Sequence, residues 1–162
     1  MSDIIERVLD QAANEYRGEL RYWFESYKVS AKLSLESPIE EAFLLALYAL
    51  NDSAPIFEFV GETGRPLHTG YAFARVTPQV KVAGYRVDFL VEVGDVKIAV
   101  ECDGQAYHNS NDQIQRDKVR DRALTVAGLR VMRFTGSEIF RSPCSCAYSL
   151  FEAVMALRPK EG

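Results

Sequence analysis

Two short segments in which apolar and polar residues alternate, 85–93 and 96–103, constrain this 162-residue chain more than any other feature. Only Gly94-Asp95 separates them, and a two-residue connection of this kind is typical of a tight β-hairpin. Val93 then faces Val96, and every further pair follows by counting outward. This register puts the apolar residues of both strands on one face of a half-buried sheet. The residues predicted to share that face are Tyr85, Val87, Phe89, Val91, Val93, Val96, Ile98, Val100 and Cys102.

The same register brings two acidic residues together. Asp88 faces Glu101, and directly opposed like charges destabilise a sheet. Either a divalent cation lies between the two carboxylates, because hard cations prefer such oxygens, or a basic neighbour such as Arg86 compensates them. Asp103 falls opposite Arg86, so an ordinary ion pair explains Asp103 equally well. His108 follows the second strand, where it is either structural or part of the same site.

Helical and strand patterns around the hairpin predict the fold class. Ser37 is a suitable N-cap, and an apolar pattern of helical spacing follows it as far as Leu50. A helix over 111–127 is predicted to precede a strand over 129–134, which is typical of a parallel crossover. The predicted fold is therefore α/β, a mixed sheet with an antiparallel hairpin and a parallel crossover strand, flanked by helices. Other predicted elements are a strand near 56–60 and a final helix over 144–157.

Residues 1–36 are predicted to form an N-terminal extension to a domain over 37–162. Apolar residues recur at three- and four-residue spacing through 3–28, which predicts one long amphipathic helix. Its aromatic end either packs against the domain or binds a partner. A protein partner or a second copy of the chain would contact this helix.

Composition limits the compartment and the partners. The net charge of −4 excludes a surface that is positive throughout, but it allows a local basic patch. Between residues 112 and 141, seven basic residues outnumber four acidic ones. Three cysteines without an evident pairing suit a reducing compartment, and no apolar run approaches about 18 residues. The first residues lack the basic start and apolar stretch of a secretory signal, so we expect none. We expect a cytoplasmic protein that does not cross a membrane.

Asp88, followed by Glu101-Cys102-Asp103-Gly104, resembles the PD-(D/E)xK nuclease superfamily. More closely, it is similar to the small domains related to the very-short-patch-repair endonucleases. The resemblance covers about 37–141 and departs from the superfamily at Asp103, where a lysine is usual, although the closer relatives also carry Asp there. Further matching positions are Glu40, His108, Asp117, Arg120 and the segment Gly128–Phe134.

The resemblance implies metal-assisted hydrolysis of phosphodiester bonds by a DNA endonuclease. Asp88 and Glu101 would bind Mg²⁺ or Mn²⁺, with the Cys102 backbone carbonyl and Glu40 as further ligands. The catalytic residues that it implies are Glu40, Asp88, Glu101, Asp103 and His108.

Basic residues downstream are expected to contact phosphates, which positions a duplex without specifying its sequence. These residues are Arg116, Lys118, Arg120, Arg130 and Arg133. Because the usual lysine is missing, a catalytically inactive nucleic-acid-binding module of the same fold is the alternative. Side chains that would replace the lysine are Lys97, His108, Gln115 and Lys118.

Overall fold

The computed structural model describes residues 22, 25–26, 35, 37–51, 56–60, 73–104 and 110–158. The described strands are β1 (Phe57–Phe59), β2 (Ala74–Val82), β3 (Tyr85–Val93), β4 (Val96–Asp103) and β5 (Leu129–Thr135). The described helices are α1 (Pro38–Leu50), α2 (Asn111–Val126), α3 (Gly136–Arg141) and α4 (Pro143–Ala156). The predicted N-terminal helix lies almost entirely outside the described residues, as does His108. Within the described ranges, no helix is both long and apolar enough to span a membrane.

The strands form one mixed sheet in the order β1-β2-β3-β4-β5. The inner pairs β2–β3 and β3–β4 are antiparallel, whereas the outer pairs β1–β2 and β4–β5 are parallel. The chain passes from β4 through α2 to β5, which is the predicted crossover. The predicted α/β class, with its hairpin and its parallel crossover strand, is confirmed.

The hairpin register is confirmed from the turn as far as Phe89 and Val100. The predicted pair Glu92 and Lys97 face each other, with Lys97 Nζ 4.0 Å from Glu92 Oε1. Gly94 has a φ of 57°, in the left-handed region that glycine adopts at little cost, so the tight turn follows from the local sequence.

Helices cover the two faces of the sheet unequally. Helices α1, α3 and α4 pack on one face, where the main core includes Phe43, Phe89, Ile139 and Leu150. Helix α2 packs on the other face, over a smaller cluster. The buried residues of that cluster are Val87, Leu90, Ala99, Leu124 and Leu129.

The prediction that Val87 shares a face with Phe89 is wrong. Val87 packs in the smaller cluster and Phe89 in the main core, so the alternation of β3 breaks at Asp88, which lies between them. The change coincides with a gap in the ladder between β2 and β3, where Gln79 has a φ of 56° and neither Gln79 nor Asp88 opposite it is paired. The residues of β2 that flank this gap and still pair with β3 are Pro78 and Val80. The register is the same on both sides, so no residue is inserted as in a β-bulge, but the side chains of β3 beyond the gap point to the opposite face.

Helix α2 depends on one buried side chain, Leu124, since no other residue of this fully described helix is buried. We predict that Leu124→Ala lowers the free energy of unfolding by about 2–4 kcal/mol, because apolar burial is lost and a cavity remains. Val126→Ala is the matched control in the same helix. Val126 is 89% exposed, so this variant should change stability by no more than about 0.5 kcal/mol. Urea denaturation followed by circular dichroism measures both, and equal stability of the two variants would contradict this role of Leu124.

Candidate active site

Asp88 lies where backbone pairing between β3 and β4 ends. Its Oδ2 accepts a hydrogen bond from the backbone N–H of Cys102 at 2.7 Å, so a side chain of one strand binds the backbone of the other. Burial raises the pKa of Asp88 above its ordinary value. The Cys102 N–H and the charge of Arg120 act in the opposite direction.

Glu101 is 3% exposed and contacts Arg120 of α2. Arg120 Nη2 is 2.5 Å from Glu101 Oε1, and the same nitrogen donates to the backbone carbonyl of Arg86 in β3. Burial, followed by the neighbouring carboxylate of Asp88, raises the pKa of Glu101 to about 7, although the charge of Arg120 acts in the opposite direction. The neutral form of this carboxyl group is therefore favoured more than in an exposed glutamate.

Arg133 of β5 joins two acidic residues from different elements. Its Nη1 is 3.1 Å from both carboxylate oxygens of Asp103, and its Nη2 is 2.6 Å from Asp121 Oδ1. Its Nε also donates to Asp121, so each guanidinium nitrogen has an acceptor. The ion pair considered for Asp103 therefore exists, but its partner is Arg133 and not Arg86.

Glu40 reaches the same region from the first turn of α1. It is 4% exposed, and its Oε2 accepts a hydrogen bond from Gln79 Nε2 at 2.7 Å. Ser37 caps the helix, as predicted, by accepting from the Glu40 backbone N–H at 3.3 Å. The Ser37 hydroxyl also donates to Glu40 Oε1 at 3.3 Å, so the Glu40 side chain contacts the helix cap through Oε1 and Gln79 of β2 through Oε2.

Four carboxylates lie around the thiol of Cys102. Burial raises the pKa of Cys102, and four negative charges raise it further. Those charges belong to Asp88, Glu40, Glu101 and Asp103, which we call the acidic site. The four predicted catalytic carboxylates within the described residues therefore lie around Cys102, although no three of them are placed to hold one metal ion. The fifth predicted catalytic residue, His108, lies outside the described part of the chain.

The five residues predicted to contact phosphates fall into two groups. Arg120 and Arg133 are partly buried and paired with carboxylates of the acidic site. The other three, Arg116, Lys118 and Arg130, are exposed at the surface.

Two residues that the sequence did not single out complete the surroundings of the acidic site. Gln79 binds Glu40 from the interrupted strand β2, and Asp121 binds Arg133 from α2. No local signal separates Asp121 from Asp117, which lies in the same polar helix and accepts a hydrogen bond from Gln113. Both contacts depend on elements that are distant in sequence.

The donor chemistry of the acidic site fits a hard divalent cation. Asp88 and Glu101 offer neighbouring carboxylate oxygens, which are the ligands that Mg²⁺ and Mn²⁺ prefer. Among the described residues, however, no three His, Cys, Asp or Glu side chains are arranged to hold a metal ion together. A cation would therefore need backbone oxygens, water or a rearranged side chain as further ligands.

A five-stranded mixed sheet with an acidic site at the end of its hairpin defines a restriction-endonuclease-like α/β protein. The restriction-endonuclease-like family REase_MTES_1575 matches residues 68–154, which is more than half of the chain. The chain belongs to this family. The matched segment contains Asp88, Glu101 and Asp103, whereas Glu40 precedes it. Comparisons with curated proteins and with solved structures gave no significant match.

The raised pKa of Glu101 predicts a pH-dependent stability in the absence of metal. Because the folded-state pKa of about 7 exceeds the ordinary value of 4.5, folding favours the protonated form. The contribution of Glu101 to the free energy of unfolding is complete below about pH 4.5 and is lost as the pH rises through about 7. Between pH 5 and pH 8 the wild type should therefore lose on the order of 2 kcal/mol relative to Glu101→Gln.

Urea denaturation in EDTA at several pH values tests this prediction. Glu152→Gln, at an exposed position of α4, controls for the loss of one carboxyl group. Parallel stability curves for the wild type and Glu101→Gln would contradict it.

Proposed function

We propose that this protein is a divalent-metal-dependent endonuclease that hydrolyses phosphodiester bonds in DNA. The observation that carries the proposal is the pair of neighbouring carboxylates, the half-buried Asp88 and the buried Glu101, at the point where β3 and β4 separate. Two acidic groups held this close are costly to bury, and perturbed pairs of this kind cluster at functional sites. Membership of a restriction-endonuclease-like family supports the same assignment.

Asp88 and Glu101 would hold Mg²⁺ or Mn²⁺, with the Cys102 carbonyl and Glu40 as the further oxygen donors. When bound, such a cation polarises the phosphate and lowers the pKa of a water molecule. The Cys102 N–H orients the Asp88 carboxylate, and Gln79 orients that of Glu40. These hydrogen bonds keep the donors aligned before substrate arrives.

Asp103 and His108 have the remaining roles in the proposal. Arg133 fixes both oxygens of Asp103, so we assign Asp103 an orienting role within the acidic site. His108 would act as the general acid or base. In this proposal the protein is similar to the very-short-patch-repair endonucleases, because position 103 carries a carboxylate in place of the superfamily's usual lysine.

A nucleic-acid-binding module without catalysis is the second candidate, and one observation favours it. Arg120 and Arg133 already compensate Glu101 and Asp103, so two of the four site carboxylates have a cationic partner without a metal. Such a protein would bind DNA equally well with or without Mg²⁺.

Asp88→Asn should reduce DNA nicking at least 100-fold, because the amide keeps the shape of the side chain but removes the charge that would bind the cation. Conversion of supercoiled plasmid to the nicked form, with Mg²⁺ or Mn²⁺, measures this loss. Asp95→Asn makes the same chemical change at an exposed turn position and should leave nicking unaltered. Equal nicking by the wild type and Asp88→Asn would refute the metal-dependent mechanism.

Exposed basic residues of α2 should bind DNA phosphates in either candidate function. Replacing Arg116 and Lys118 together by Ala should weaken DNA binding for all sequences alike. It should also make the DNA affinity less dependent on salt. The slope of the logarithm of the binding constant against the logarithm of the salt concentration should be smaller in magnitude by about 1 for each phosphate that is no longer neutralised. Fluorescence anisotropy with a labelled duplex at several salt concentrations provides both quantities. An unchanged slope would show that DNA does not bind to this face of α2.

A further inference from the structure

The two arginines at the acidic site are held very differently. Every guanidinium nitrogen of Arg133 donates to Asp103 or Asp121, so this side chain is fixed from both sides. Arg120 uses only Nη2, which it shares between Glu101 and the Arg86 carbonyl. Arg133 therefore has the contacts of a structural residue, whereas Arg120 is held at one nitrogen.

Arg120 also has a buried donor without an acceptor. Its Nε is shielded from solvent and makes no hydrogen bond to any described residue. Leaving a buried donor unsatisfied costs about 1–3 kcal/mol, and more for a charged group, so such a group needs an explanation. This unsatisfied donor belongs to the side chain that contacts Glu101, one of the carboxylates proposed to bind the cation.

Building on the proposed function, we propose that Arg120 is an internal counter-ion of Glu101 that gives up this carboxylate to the divalent cation and then binds a phosphate of the DNA. Arg120 and a cation compete for the same oxygen, Glu101 Oε1. Once released, the guanidinium presents Nε and Nη donors as a planar fork, which matches two phosphate oxygens. A phosphate would thereby supply the acceptor that Nε lacks.

The position of Arg120 suits this exchange. It projects from α2 with its side chain 26% exposed, and it contacts Glu101 and the Arg86 carbonyl through one nitrogen, Nη2. Its guanidinium also lies 5.8 Å from the ring of Tyr85, at the outer edge of a cation–π contact. Arg120 would thus place a positive charge in the site, from a helix instead of from strand position 103.

Calorimetric titration with Mn²⁺ alone tests the competition. Arg120→Gln should bind Mn²⁺ about tenfold more tightly than the wild type, because Glu101 loses its competing cation. The same variant should nick DNA at least tenfold more slowly. Arg122→Gln removes the same charge from an exposed position of the same helix and should bind Mn²⁺ like the wild type. Unchanged or weaker Mn²⁺ binding by Arg120→Gln would overturn the inference.

Asp88→Asn separates this inference from the proposed function. If Asp88→Asn abolishes Mn²⁺ binding but Arg120→Gln does not strengthen it, the proposed function stands and the exchange is refuted. If the wild type binds no Mn²⁺, both are refuted.

A measurement on the wild type avoids any loss of folding in the variants. Nuclear magnetic resonance of the arginine Nε–H groups during titration with Mg²⁺ should show the Arg120 signal shifting and exchanging faster with water. The Arg133 signal should remain unchanged and serves as the internal reference. An unchanged Arg120 signal at saturating Mg²⁺ would overturn the proposal.

Discussion

The end of backbone pairing between β3 and β4 is the constraint on which the rest of the acidic site depends. Up to Phe89 and Val100 the two strands are joined by an ordinary ladder. Beyond that point the two strands are joined by side-chain hydrogen bonds instead. Asp88 accepts from the Cys102 N–H, and Arg120 links Glu101 to the backbone of β3. Strands that separate in this way leave room between them for carboxylates, which a continuous ladder would not.

The sequence predicted those parts of the structure that local interactions determine. The turn at Gly94 and the alternation beside it were sufficient for the hairpin, its register as far as Phe89 and Val100, and the approach of Asp88 to Glu101 just beyond that ladder. The altered direction of Val87 was not predictable from β3 alone, because it coincides with the left-handed backbone of Gln79 in a different strand. The contacts of Arg120 were equally out of reach, since an exposed basic run in a helix does not reveal which arginine turns inward.

Packing on the two sides of the acidic site differs, and this difference has consequences for its chemistry. On the side of α1 the contact is tight: a Cβ added at Gly136 would lie 2.9 Å from Ile39 Cδ1 and 3.1 Å from the carbonyl oxygen of Asp103. Ile39, the neighbour of Glu40 in α1, is thus packed closely where β4 ends and α3 begins. On the side of α2, Leu124 is the only buried residue of the helix, and Arg120 and Asp121 link it to the sheet by ion pairs. The acidic site therefore lies between a closely packed apolar contact with α1 and a contact with α2 that is made largely by charged side chains.

Charge balance at the acidic site explains how an acidic protein can have nucleic acid as its proposed partner. Together with Asp121, five carboxyl groups lie in this region and two guanidinium groups oppose them, so acidic groups are in excess. A phosphate that entered this excess without a cation would be repelled. In the proposed function, the exposed basic side chains of α2 would attract the DNA backbone from outside the acidic site. The charge proposed to bind DNA then lies mostly outside that site, with Arg120 as the exception within it, and the net charge of the whole chain says little about either group.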